Sequence, residues 1–263
     1  MYNVLIIGAG NKGVLSDAPG SGNEHKYLSY SHAVTDHPGF ELSGYMDILP
    51  EMKHNAQKIW RVNNKPADVV VICTPDNSHY EYLLSALDMK PKLVICEKPL
   101  CDNSREAAEI VDLYYGQAVP LMVDYTRRFI PEFQNIKQGL QSAGDFIEGF
   151  CYFNRGWEHT ASHFIDTALW FNGNLDHITI KEIQTDYRWI YQWGLYYERD
   201  FCSECYGNPL KGYKVPEIFD RHLYYVMENA YNFLRGKEKL YCTGEDGLRA
   251  IQETERRKHA GQS

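Results

Sequence analysis

The stretch YNVLIIGAGNKG, residues 2–13, places an apolar run directly before three glycines spaced G-x-G-x-x-G. The run Tyr2–Ile7 is short and rich in Val, Ile and Leu, which is typical of a buried strand. Glycines at this spacing allow a tight turn and let backbone N–H groups approach a pyrophosphate at a helix N-terminus. The stretch therefore predicts a dinucleotide-binding loop, with a glycine turn that binds no ligand as the alternative. The candidate binding residues of the loop are Gly8, Gly10, Asn11, Lys12 and Gly13.

Outward from this loop, the first half of the chain alternates apolar runs with helical patterns. The further predicted strands are Glu41–Met46, Val69–Cys73, Leu93–Cys96 and Leu121–Val123. The predicted helices are Leu49–Trp60, Ser78–Leu87 and Ser104–Tyr115, with Ser78 and Ser104 as N-caps and Glu81 completing a capping box after Ser78. Such alternation implies a parallel sheet with helices on both faces, so residues 1–123 are predicted to form a doubly wound α/β domain of the Rossmann type.

The pattern changes after about Asp124, and residues 124–263 are predicted to form a second domain of the α+β class. Helices are predicted at Pro131–Leu140, Ser162–Phe171 and Arg221–Leu234, and a strand at Asp145–Asn154. The aromatic-rich residues 178–213 are expected to supply strands of a mixed or antiparallel sheet. Thr243–Asp246 resembles a capping box at the start of a charged last helix.

Composition excludes several classes of partner. The net charge of −8 argues against a general nucleic-acid-binding protein, because neutralising phosphates needs clustered Lys and Arg. No apolar stretch is long enough to cross a bilayer, and the N-terminus shows no secretion signal, so we expect a cytoplasmic protein without a membrane partner. The pair Cys202 and Cys205 has no second pair of ligands nearby, so no metal site is expected.

An acidic residue closes the second predicted strand, where it can accept hydrogen bonds from the adenosine ribose. Asp47 is followed by Ile48 and not by the Ser-Arg pair that would accommodate a 2′-phosphate, so NAD is favoured over NADP. Asp47 lies 34 positions after Gly13, against roughly 20 in the usual fingerprint. The surplus falls in Val14–Leu28, which is interpreted either as a lid over the phosphates or as a passive surface insertion.

Together these motifs resemble the glucose–fructose oxidoreductase, inositol dehydrogenase and rhizopine-catabolism (Gfo/Idh/MocA) family. Each motif alone is a weak match, but six follow one another in the family's order and cover nearly the whole chain. They are Gly8–Gly13, Thr74–His79, Glu97–Pro99, Tyr125–Phe129, Ser162–Asp166 and Thr243–Leu248.

The resemblance implies roles for residues of the first half. Lys98 would reach the reacting carbon between nicotinamide and sugar, and its ammonium could polarise a carbonyl or share the hydroxyl proton. Glu97 would bind the nicotinamide-side ribose. The cofactor-binding site would be lined by Thr74, Pro75 and His79. The resemblance also suggests a cis bond between Lys98 and Pro99.

In the second half, the resemblance makes His163 the active-site histidine, and Asp166 is expected to fix the helix or His163. Arg127 and Arg128 are interpreted either as substrate ligands or, preferably, as braces of the domain junction. The sequence departs from the family at His159, where many members carry the Asp of an acid–base pair. Only 77 positions separate Asp166 from Thr243, so the second domain is short for the family.

The resemblance implies reversible hydride transfer between NAD and a secondary alcohol of a sugar or nucleotide-linked sugar. Lys98 and His163 would handle the proton, with possible help from His159, and a homo-oligomer could form through the C-terminal sheet. Two alternatives stay open: an NAD-dependent, redox-neutral glycosidase-type enzyme of the same family, and a non-catalytic NAD-binding sensor or partner subunit.

Overall fold

The computed structural model describes residues 1–22, 26–184, 190–206 and 221–260, with the backbone alone for 201, 203–206 and 260. The described residues group into two compact units. The first comprises residues within Met1–Phe129 and Phe219–Leu248, and the second comprises residues within Ile130–Ile218 and Arg249–Ser263. No helix among the described residues combines the length and apolar character needed to cross a bilayer.

The first unit is built on a five-stranded sheet with the order β2-β1-β3-β4-β5, in which all neighbours are parallel. Its strands are β1 (Tyr2–Ile7), β2 (Phe40–Met46), β3 (Val69–Ile72), β4 (Leu93–Glu97) and β5 (Leu121–Asp124). All five predicted strands are confirmed, and every predicted strand boundary agrees with the structure to within one residue. The central strands are buried along their length, as expected where helices cover both faces of a parallel sheet.

Four helices alternate with these strands: α1 (Tyr30–Asp36), α2 (Pro50–Ile59), α3 (His79–Asp88) and α4 (Ser104–Gly116). The sequence patterns predicted the last three but missed α1, which has only seven residues. Two capping predictions are wrong. Asn103, not Ser104, caps α4 by accepting a 2.9 Å hydrogen bond from the Glu106 N–H. Ser78 precedes α3, but its hydroxyl bonds to Thr74 and Pro75 because a short helical turn, Asp76–Ser78, leads into the helix.

Helix α7 (His222–Leu234) belongs to the first unit, although the sequence analysis assigned every residue after 123 to the second. The physical reason is aromatic packing, since Tyr231 of α7 contacts the rings of Tyr2, His37 and Phe40 with centroids 5.2–6.3 Å apart. After α7 the chain forms an antiparallel bridge between Thr243 and Met122 of β5. The first unit therefore closes with a segment that follows the second unit in sequence.

The second unit contains a four-stranded sheet with the order β7-β6-β8-β9. Its elements are α5 (Pro131–Leu140), β6 (Phe146–Phe153), α6 (Ser162–Asn172), β7 (Ile178–Glu182), β8 (Tyr191–Tyr197), β9 (Phe201–Tyr206) and part of α8 (Gly244–Ala260). The pair β6–β7 is parallel and the others are antiparallel, which confirms the predicted α+β class with a mixed sheet. The Cys205 side chain lies outside the described residues.

The core of the second unit is aromatic. Trp193 of β8 is fully buried and packs on Phe164 of α6 with ring centroids 5.7 Å apart. Trp157 packs edge-on against Phe153 at 5.2 Å. The capping box predicted for α8 is confirmed, because Thr243 Oγ1 accepts from the Asp246 N–H while Asp246 Oδ2 accepts from the Thr243 N–H.

Candidate active site

The glycine loop follows β1 and turns into a short helical segment, Asn11–Leu15. Gly8 has a φ of +98°, and a Cβ there would lie 2.7 Å from the Cys73 carbonyl oxygen. A Cβ on Gly13 would lie 2.0 Å from the Gly8 carbonyl oxygen, so both positions exclude any larger residue. A Cβ on Gly10 would meet nothing within 4 Å. The loop is therefore closed on the protein side and open where a pyrophosphate would approach.

Asp47 lies beside this loop at the carboxyl end of β2. Its Oδ2 accepts a 2.8 Å hydrogen bond from the Ala9 N–H, and its Oδ1 accepts one of 2.9 Å from the Leu49 N–H. The fold thus brings the acid to the glycine loop in spite of the long sequence separation. This is the placement that a ribose-binding acid requires.

The insertion Val14–Leu28 is fastened by Asp17, which is buried. Its carboxylate accepts hydrogen bonds from the Leu28 N–H at 2.8 Å and the Ser29 hydroxyl at 2.5 Å, and it contacts His32 Nδ1 at 2.8 Å. The start of the insertion is therefore tied to its end and to the first turn of α1.

The turn after β4 carries Glu97, Lys98 and Pro99. The bond between Lys98 and Pro99 is cis, as the sequence analysis predicted. Lys98 is buried, and burial lowers the pKa of its ammonium below the ordinary value, although the Glu97 carboxylate acts in the opposite direction. A lysine in this state releases and accepts a proton more readily near neutral pH than an exposed one.

His79 is fully buried and connects two loops of the first unit. Its Nδ1 lies 2.7 Å from the Pro99 carbonyl oxygen and its Nε2 lies 3.0 Å from the Thr74 carbonyl oxygen. The ring therefore fixes the Lys98–Pro99 turn to the loop after β3 and is not exposed to a ligand. Thr74 is half-buried and Pro75 is exposed, so these two residues could still wall a cofactor.

Lys12 of the glycine loop joins a charged cluster. Its Nζ lies 3.4 Å from Glu97 Oε1 and 3.2 Å from Nε2 of His222, the first residue of α7. Although burial alone would lower it, the pKa of Lys12 is raised by the carboxylates of Glu97 and Asp124. Among the described residues, no group donates a well-aligned hydrogen bond to the buried Glu97 Oε1. This acceptor fits the hydroxyl of a cofactor ribose.

Asp124, the last residue of β5, is fully buried beside Glu97. The Tyr30 hydroxyl donates to its Oδ2 at 2.8 Å and the Thr126 hydroxyl donates to its Oδ1 at 3.0 Å. Burial, followed by the charge of Glu97, raises the pKa of Asp124 to about 7. Sequence reasoning missed Asp124, Tyr30 and His222. An acid closing a strand of an α/β sheet was the available signal for Asp124, because ligands bind at the carboxyl ends of such strands.

Arg127 and Arg128 lie in a short helical turn after β5 and are both buried. Arg128 Nη1 lies 2.9 Å from Asp246 Oδ1, and Arg128 also donates to the Tyr241 carbonyl oxygen at 3.4 Å. Arg128 therefore braces the segment that precedes and begins α8, within the first unit.

The two candidate histidines of the second unit lie four residues apart. His159 is exposed in the short helical segment Trp157–Ala161, and His163 is half-buried in the first turn of α6. The His163 carbonyl oxygen accepts from the Thr167 hydroxyl at 2.8 Å, and Asp166 is buried in the same helix. His163 is thus carried by α6, and His159 by the short helical segment that precedes it.

Comparison with known proteins agrees with this arrangement. The profile of the GFO_IDH_MocA oxidoreductase family, described as NAD-binding Rossmann fold, matches residues 2–125. Inositol 2-dehydrogenase of Rubrobacter xylanophilus is 28% identical over 127 residues, which are 42% of this chain and 35% of the relative. The scyllo-inositol 2-dehydrogenase (NADP+) of Bacillus subtilis is 27% identical over 114 residues, 40% of this chain and 34% of the relative. The matched part thus spans about a third of these relatives.

The fold likeness extends further than the sequence likeness. A crystal structure of a myo-inositol dehydrogenase from Corynebacterium glutamicum superposes with a TM-score of 0.77. The superposition covers 99% of this chain and 96% of the dehydrogenase, at 14% identity. The two-unit architecture is therefore shared over the whole length.

Proposed function

Because this chain belongs, through residues 2–125, to the Gfo/Idh/MocA family of NAD-binding oxidoreductases, we propose that it transfers a hydride between NAD and a secondary alcohol of a sugar, cyclic polyol or nucleotide-linked sugar. The observation that carries the proposal is the buried Lys98, which follows Glu97 at the carboxyl end of β4 and has a lowered pKa. A buried amine at this place suits acid–base catalysis in a way that an exposed one does not.

The cofactor would be held by the first unit. The open side of the loop at Gly10 suits the pyrophosphate, and Asp47 suits the adenosine ribose. Glu97, whose Oε1 accepts no well-aligned hydrogen bond from the described residues, suits the second ribose. We favour NAD over NADP because the Asp47 carboxylate would repel a 2′-phosphate and no Ser-Arg pair follows Asp47 directly.

In the oxidation direction the alcohol carbon loses a hydride and its hydroxyl loses a proton. The nicotinamide, when bound, supplies the hydride acceptor. Lys98 in its neutral form accepts the hydroxyl proton, and in the reverse direction its ammonium polarises the carbonyl and returns the proton to the developing alkoxide oxygen. We further propose His163 as a second proton acceptor, with His159 in an assisting role and Arg127 as a candidate substrate ligand.

We also propose a homo-oligomer and a cytoplasmic location for the chain, which would act on small molecules. The oligomer is supported by the outer face of the second sheet, where Phe150 contacts the rings of Tyr152 and Tyr196 at 5.5 and 6.3 Å. Tyr196 is 39% exposed, so the face offers aromatic surface to a second copy. Light scattering on the purified chain measures the oligomeric state directly.

The experiment that tests the function is NADH formation over a panel of sugars, cyclic polyols and UDP-sugars. We expect stoichiometric NADH with at least one compound and none without substrate. Conversion of a glycoside without net NADH would indicate the redox-neutral glycosidase-type reaction instead. Tight NAD binding with no turnover of any compound would favour the sensor or partner-subunit alternative.

A further inference from the structure

Two carboxyl side chains end neighbouring strands of the first unit's sheet. Glu97 is the last residue of β4, Asp124 is the last residue of β5, and the two are register partners in the parallel pairing. Adjacent strands lie about 4.8 Å apart, and register partners present their side chains to the same face. Because both residues are buried, ionisation of one carboxyl group disfavours ionisation of the other.

The charged and titratable groups around Asp124 come from several elements. They are Glu97 of β4, Lys98 after it, Lys12 of the glycine loop, Tyr30 of α1 and Cys73 after β3. Burial raises the pKa of Tyr30 and of Cys73 well above their ordinary values, so both stay neutral near pH 7. His222 of α7 reaches the cluster through Lys12.

The protonation of Asp124 decides the net charge of this cluster. Whatever the charges of the neighbouring Lys12, Lys98 and Glu97, an ionised Asp124 makes the cluster one unit more negative than a protonated Asp124 does. The pKa of Asp124, about 7, places this change of charge near neutral pH.

We propose that Asp124, through its charge, sets the preference of this site for oxidised over reduced nicotinamide. The inference rests on the proposed function, because it requires the nicotinamide end of the cofactor near Glu97 and Lys98. The oxidised ring carries a positive charge that the reduced ring lacks, and the two cofactors are otherwise alike. An ionised Asp124 therefore attracts the ring of NAD+, whereas a protonated Asp124 does not.

The expected effect follows from Coulomb's law. Two unit charges about 8 Å apart, at an effective dielectric constant of about 30, change a binding constant about tenfold. The sign is fixed, because bound NAD+ favours the ionised carboxylate and NAD+ must therefore bind better as Asp124 loses its proton. Because about a tenth of Asp124 is already ionised at pH 6, raising the pH from about 6 to about 8.5 should increase the affinity for NAD+ relative to NADH about fivefold.

The test measures the dissociation constants of NAD+ and NADH by calorimetry across this pH range and follows their ratio. The ratio cancels contributions from the pyrophosphate and adenosine, which both cofactors share. We expect a step near pH 7 in the natural chain and a flat ratio in Asp124→Asn. Tyr30→Phe removes a hydrogen bond that favours the ionised carboxylate, so it should move the step to higher pH.

His222→Gln is the matched control, because an ordinary histidine also titrates near neutral pH. The step should persist in His222→Gln. The inference would be overturned if the step disappeared in His222→Gln and persisted in Asp124→Asn. It would also be overturned if Tyr30→Phe left the step at the same pH. A pH-independent ratio in the natural chain would overturn the inference alone. A chain that binds neither cofactor would contradict the proposed function and the inference with it.

Discussion

His79 Nδ1 lies 2.7 Å from the carbonyl oxygen of Pro99, the residue that follows Lys98. The other ring nitrogen faces the Thr74 carbonyl oxygen at 3.0 Å, so one buried side chain spans the loops that follow β3 and β4. The position of Lys98 therefore depends on a residue 19 positions earlier in the sequence that is itself fully buried.

Replacing His79 should destabilise the first unit. His79→Ala removes a packed ring and the imidazole N–H donor that faces these carbonyl oxygens, so we expect a loss of about 2–4 kcal/mol in the free energy of unfolding. Urea denaturation measures it. His54→Ala on the exposed side of α2 is the control and should change stability by less than about 0.5 kcal/mol. Equal effects of the two changes would contradict the structural role of His79.

Lys98→Met keeps the length of the side chain and removes its charge and its proton-accepting nitrogen. We expect NAD to bind still, while turnover falls by roughly 10²–10⁴, the usual contribution of one positioned acid–base group. Steady-state kinetics and calorimetry separate the two effects. Lys58→Met, at an exposed position of α2, should leave both unchanged. Near-normal turnover of Lys98→Met on the true substrate would eliminate the proposed mechanism.

His163→Ala and His159→Ala should differ in effect. If His163 is the second proton acceptor, its loss should lower kcat by roughly 10²–10⁴. His159 stands where the family carries Asp and is exposed, so its replacement should cost less. Parallel kcat measurements on the two variants, with thermal unfolding to verify folding, decide the order. A larger loss in His159→Ala would reverse the two roles.

Asp47 should determine the choice between NAD and NADP. Calorimetry on the natural chain should show tighter binding of NAD, because a 2′-phosphate would face the carboxylate. Asp47→Asn keeps an oxygen that can accept from the Ala9 N–H but removes the charge. The ratio of the dissociation constant of NADP to that of NAD should therefore fall about tenfold. Glu51→Gln, in the first turn of α2, is the control and should leave this ratio unchanged. Tighter NADP binding by the natural chain would refute the assignment.

Asp124 should make the stability of the chain depend on pH. Its pKa is about 7 in the folded state and about 3.9 when unfolded, so its contribution is fully present below about pH 4 and is lost as the pH rises through 7. Asp124→Asn should lack this decline. The free energy of unfolding of the variant minus that of the natural chain should therefore be greater at pH 8 than at pH 5, by on the order of a few kcal/mol. Urea denaturation at both pH values provides the comparison. Asp88→Asn, exposed at the end of α3, should show no such change. If the variant and the natural chain differ in free energy of unfolding by the same amount at both pH values, Asp124 does not have the raised pKa.

Much of the first unit could be predicted from local sequence. Each strand of its sheet is a short run of branched apolar residues bounded by breakers, and the glycine spacing decides the loop after β1. The predictions failed where the signal was short or shared with other conformations. Helix α1 is only seven residues long, and Asn103 and Ser104 are adjacent residues that both favour the capping position.

The sequence by itself determined the alternation of strands and helices, the phosphate loop, and the order of the candidate residues Asp47, Lys98 and His163. These follow from patterns that extend over a few neighbouring residues, which is the range over which backbone geometry repeats. The tertiary structure alone decided that Tyr30 bonds to Asp124, 94 positions away, and that Lys12 meets His222, 210 positions away. Such pairs are set by how the sheet and helices pack and not by spacing, so no local pattern could predict them. The same packing buries Asp124 beside Glu97 and thereby raises its pKa.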